Sequence, residues 1–139
     1  MQTSDVLRHQ LIYSLIDPQT EEPAGALILV WEKMAAQVIS IVGVGGFNSL
    51  YARSIFLSQK TYAWLDDCAI SAQSGHRFVD LKKCFESQPP EHSIAANSLL
   101  LITLTDIMAS IIGEQLTNNI LHTAWGDDAL DMNGKELKK

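Results

Sequence analysis

Residues 27–59 read LILVWEKMAAQVISIVGVGGFNSLYARSIFLSQ, and the way this run folds decides the fold of the chain. The apolar positions Leu27, Val30, Trp31, Met34, Val38, Ile41 and Val42 recur in steps of three and four. That spacing lines one face of a helix. Residues 38–42 are β-branched apart from one serine, so this short piece also suits a strand. The helical spacing extends back to Leu27, too far for one strand, and favours the helix. Glycines at 43, 45 and 46 interrupt the run, and Leu50, Tyr51, Ser54, Ile55 and Phe56 resume helical spacing beyond them.

A second charge-poor stretch, residues 93–125, has only Asp106 and Glu114 as charged groups. It reads as a long apolar helix, kinked at Gly113. The two stretches echo each other at an offset of seventy residues. Ser40-Ile41-Val42-Gly43 aligns with Ser110-Ile111-Ile112-Gly113, Asn48 with Asn118, and Leu50 with Ile120. An apolar stripe, then Gly, then Asn five residues later, occurs twice, as expected of two similar helices packed as a pair.

The remaining segments are short. Residues 5–16 form a helix with Ser4 or Asp5 as cap. Residues 18–25 read as a loop, and residues 66–75 as another. Phe78, Leu81, Cys84 and Phe85 mark a short amphipathic helix, which the prolines at 89 and 90 end. The expected fold is all-α, with four to five helices around two long apolar ones near residues 26–45 and 93–124. Residues 1–125 would form one helical domain and residues 126–139 a polar, mobile tail. Helices apolar on several faces need cover on several faces, and the short segments supply little of it. A homodimer that completes the bundle is therefore expected.

The chain has 139 residues, 10 basic and 16 acidic side chains, and a net charge of -6. That balance excludes a general nucleic-acid binder, which needs clustered Lys and Arg. Asp106 lies near the middle of the second apolar run, where a bilayer would penalise it, so both runs are expected to be covered by protein rather than lipid. Cys68 and Cys84 read as reduced thiols of a cytoplasmic protein, since residues 1–5 lack a signal-peptide pattern.

Motifs for chemistry are sparse. A β-branched run followed by Gly-x-Gly-Gly at 43–46 resembles the opening turn of Rossmann-type dinucleotide-binding domains, with Asp66 or Asp67 where a ribose-binding acid would sit. The third fingerprint glycine is replaced by Asn48, and no strand–helix alternation follows. Cys68, His76, Cys84 and His92 are evenly spaced, but structural zinc sites use tighter pairs. The tail's Asp-x-Asn-Gly lacks the rest of a calcium loop. No cofactor or metal is expected. His122, and in a similar setting His9, are candidates for a phosphoacceptor, against the plainer reading of exposed histidines.

Trp31, Phe47, Tyr51, Trp64 and Trp125, with Arg53, are core residues or else an interface or pocket. Arg53 is expected to pair with Glu114 and so join the two halves of the echo. The ending Ile-Ile-Gly-Glu-x-Leu-Thr followed by Ala-Trp resembles those of small bacterial helical accessory proteins. The expected role is a non-enzymatic interaction or regulatory module, as in bacterial signalling. One alternative is a small-molecule sensor with a pocket lined by Trp31, Phe47, Tyr51 and Met108. The other is a nucleotide-binding domain built on the glycine loop at 43–46.

Overall fold

The computed structural model describes residues 4–15, 22–67 and 78–137. The fold is all-α: α1 (Ser4–Ser14), α2 (Pro23–Ser58), α3 (Val79–Glu86), α4 (Pro90–Ile112) and α5 (Glu114–Leu137), with a short 3-10 turn at Ala63–Asp67 before α3. No strand occurs among the described residues, so 38–42, the ambiguous piece, is helical.

Several boundaries differ from expectation. α2 begins at Pro23, inside the expected loop, because proline is tolerated in the first helical turn, where its missing N–H has no partner to lose. Within α2 the helix is interrupted at Gly43 and resumes to Ser58, as the spacing on either side of the glycines suggests. The second long run is two helices, not one kinked helix, because Gly113 separates α4 from α5. The backbone of α5 stays helical past Trp125 to Leu137, where the sequence suggested a polar tail.

Both interruptions are made by the same device. Gly43 has φ 83 and ψ 168, and Gly113 has φ 96 and ψ 155. This region is open almost only to glycine, because a Cβ would clash with the backbone. The chain turns once at each glycine and then re-enters a helix. The burial registers on either side coincide at the seventy-residue offset. Of the twelve buried positions between 27 and 55, eleven have a buried equivalent between 97 and 125, and the twelfth, Ala124, is half-buried. Side-chain bonding repeats too: Ser40 Oγ donates to the Gln37 carbonyl and Ser110 Oγ to the Ile107 carbonyl, both at 2.7 Å. The sequence echo is thus a structural repeat of one helix–break–helix unit.

The core lies between α2, α4 and α5. Trp31, Phe47, Tyr51 and Phe78 form a buried aromatic cluster with ring centroids 5.5–6.2 Å apart. Trp31 Nε1 donates to Asn97 Oδ1 at 2.6 Å, and Trp125 Nε1 donates to the Val30 carbonyl at 3.0 Å. These two indoles stitch the halves together without leaving a buried donor unpaired. Cys84 is disulfide-bonded, which corrects the expectation of two reduced thiols; Cys68 lies outside the described residues. α2 and α4 each hold an 18-residue window of mean hydropathy 1.7, long and apolar enough to cross a membrane, with 39% and 44% of those windows buried within the fold.

Candidate functional site

Polar chemistry concentrates at the second break. Arg8, on α1, is 3% exposed. Its Nη1 donates to Asp106 Oδ1 and to Thr105 Oγ1, and its Nη2 to both oxygens of Glu114, the nearer at 2.9 Å. His9 Nε2 lies 2.9 Å from the same Asp106 oxygen. One guanidinium thus ties the last turns of α4 to the first turn of α5 across Gly113. Burial opposes the charge on Arg8, but the hydrogen bonds and charges of Asp106 and Glu114 outweigh it and raise the pKa of Arg8 above its usual value. Each charged group here already faces an opposite charge, so the cluster acts as a latch. Glu114 therefore pairs with Arg8, not with Arg53 as the sequence suggested.

The corresponding places at the first break carry no such chemistry. Ala36 stands where α4 has Asp106, and Val44 where α5 has Glu114. Around Gly43 the surface is apolar instead. Ile41 is 53% exposed, Val44 50%, and Ile111, the equivalent of Ile41, 69%.

Beside that surface an open groove of about 360 Å³ separates the second half of α2 from the end of α4. Val42, Gly46 and Leu50 form its floor, and Ile107, Met108 and Ile111 form its wall. Ser49 and Arg53 sit along its rim. Its depth owes much to Gly46, which contributes no side chain. A Cβ there would come within 2.9 Å of Val42 Cβ, so the position is closed to larger residues without a shift. The equivalent position on α5 is Leu116. A second depression of about 410 Å³, between the start of α2 and α3, has a mixed lining that includes Glu32 and Lys82.

The sequence candidates divide between core and groove. Trp31, Phe47 and Tyr51 lie in the sealed aromatic cluster, at 0–1% exposure, and do not line the groove. Trp125 is fully buried, and Trp64 is half-buried with its ring 6.1 Å from Tyr62 and 6.3 Å from Phe85. Met108 and Arg53 do line the groove. His122 is exposed on α5. Among the described residues no group of three His, Cys, Asp or Glu side chains is placed to hold a metal. His76 and Cys68 of the evenly spaced set lie outside the described residues. The glycines at 43–46 start a helical segment rather than following a strand, so the strand–turn–helix of a dinucleotide site is not formed.

Two residues escaped the sequence reading. Arg8 looked like an ordinary surface charge on a short helix, and only Asp106 and Glu114, eight residues apart on one helical face, hinted at a shared cation. Phe78 reads as the first apolar position of the short amphipathic helix, but that local periodicity does not show that it joins the aromatic cluster of Trp31, Phe47 and Tyr51. Comparison of the chain with protein-family models, with curated proteins and with solved structures gives no match.

Proposed function

We propose that the protein is a non-enzymatic helical regulatory module, of the kind used in bacterial signalling, that works by binding a small apolar molecule in the groove beside Gly43. The carrying observation is the groove itself. It has the size and apolar lining of a ligand site, with a few polar groups at its edge. It lies at the break that lacks a latch, so an occupant would bridge two helix segments hinged on one glycine. The chief titratable cluster, around Arg8, is committed to holding α1, α4 and α5 together, which favours binding over catalysis.

The test is a thermal melt with 1-decanol as an apolar probe. The wild type should gain several degrees at saturating probe. The Ser49→Phe variant, altered at an exposed rim position, should fold normally and gain nothing. No shift for the wild type contradicts the reading.

A second reading rests on the exposed Ile41, Val44 and Ile111 surface: it joins two copies as a homodimer. Sedimentation at micromolar concentration should then show a dimer that Ile111→Lys converts to monomer. A wild-type monomer removes this reading.

A further inference from the structure

The groove has a direction, and the direction specifies its ligand. At one end lie Val42, Ile111 and Ile112, with no ionisable side chain in the lining there. At the other end stands Arg53. Between Gly46 and Arg53 the helix rises roughly 10 Å.

Arg53 is the one ionisable group in the lining. It forms no ion pair among the described residues, unlike Arg8. Its guanidinium carbon sits 5.8 Å from the ring centre of Phe56, which is 51% exposed. Lys60 approaches the same ring, with Nζ at 5.7 Å. Two cations thus flank one exposed aromatic ring just beyond the rim residue Arg53, outside the groove lining itself. Cation–π contact holds a guanidinium in place without neutralising it. The charge remains available at the exposed rim of the groove, where an anion gains a modest, salt-sensitive attraction.

From this geometry we infer that the groove takes an unbranched amphipathic anion, its apolar chain along Gly46, Leu50 and Met108 and its carboxylate at Arg53. The inference rests on the groove binding proposed above and names the chemical class of the ligand. The acceptor geometry of a carboxylate suits the two-pronged donor fork of arginine. The lining gives an uncharged polar ligand little to bond: Ser49 is its one hydroxyl. A cationic amphiphile of the same length would bring its charge against Arg53. A free single-chain ligand, rather than a bilayer, is favoured by the form of the site: a narrow recess between two helices, with Val42 and Ile112 in its apolar lining.

Isothermal titration of the full chain with sodium decanoate tests this, with 1-decanol and decyltrimethylammonium as controls of equal chain length. Decanoate should bind saturably at one per chain and at least fivefold more tightly than either control. Arg53→Gln should weaken decanoate about fivefold and bring the ratio of decanoate to decanol affinity close to one. High salt should reduce the preference for decanoate in the wild type. Ser49→Phe should weaken all binding.

Equal binding of decanoate and decanol, with Ser49→Phe blocking both, overturns the anion assignment and leaves the groove reading standing. Binding that Ser49→Phe does not touch overturns both, as does absence of binding by every probe. Association with phosphatidylcholine–phosphatidylglycerol vesicles in place of monomeric decanoate overturns the free-ligand assignment. Circular dichroism of each variant confirms that loss of binding is not loss of fold.

Discussion

The two glycine breaks are built alike and finished differently. Gly43 and Gly113 share one backbone conformation, and the helices around them share one burial register. At the second break α1 lays Arg8 across the joint and binds Asp106 and Glu114. At the first break those positions are Ala36 and Val44, no ion pair among the described residues spans the joint, and an apolar groove opens beside it. A repeated unit can thus keep its packing in both copies while one joint is tied by an ionic cluster and the other is flanked by an open apolar groove. The register supplies stability; the few positions where the copies differ carry the specialisation.

The largest effects should fall on the shared register. Trp31 and Leu101 are equivalents, both at 0% exposure. Trp31→Ala should cost about 3–5 kcal/mol and Leu101→Ala about 2–5 kcal/mol in urea unfolding. If either is tolerated at under 1 kcal/mol, the two halves do not share one core.

Next come the breaks. Gly43→Ala and Gly113→Ala each place a Cβ in a conformation that favours glycine, and each should cost about 1–3 kcal/mol. Nothing lies within 4 Å of the added Cβ at either site, so the penalty is backbone strain rather than a clash and should be similar for both. A stabilising effect at either would mean that the break is not required.

The latch separates the copies. Arg8→Met keeps most of the buried stem and removes the charge, and should cost about 1–2 kcal/mol, since its partners Asp106 and Glu114 are partly solvated. Removing Asp106 and Glu114 as well should add less than the separate losses, because the three groups form one network. Strict additivity would argue against a shared latch.

A smaller difference follows pH. Burial pushes the Tyr51 hydroxyl above its ordinary pKa of 10.0, and the carboxylate of Asp80 adds to the shift. The folded chain therefore keeps this proton after the unfolded chain has released it. The stability it supports is full below pH 10 and declines above it. Leu121, the equivalent residue, has no such dependence. Between pH 8 and 11 the urea midpoint of the wild type should fall further than that of Tyr51→Phe, and equal falls would place the alkaline sensitivity elsewhere.

Much of this fold can be read from spacing alone. The steps of Leu27, Trp31, Met34 and Val38 identify the first long helix, and the offset of Ser40 and Gly43 to Ser110 and Gly113 reveals the repeat. Periodicity reports burial, and burial is what the two halves have in common. The features that distinguish them are not periodic. Arg8 meets Glu114 across 106 residues of chain, a pairing that no local pattern encodes. The groove depends on an absent side chain at Gly46; of the expected pocket residues Trp31, Phe47, Tyr51 and Met108 only Met108 lines it, because aromatic residues are as common in cores as in ligand sites. Pro23 was read as loop because its neighbours are polar, although proline also opens helices.

Hydrogen–deuterium exchange on the unliganded full chain tests the contrast between the breaks most directly, by comparing the backbone amides of residues 47–51 with their equivalents at 117–121. The latched joint should exchange at least tenfold more slowly than the open one, and Arg8→Met should erase most of the difference. Equal exchange at the two joints in the wild type, or faster exchange at 117–121, would contradict the account.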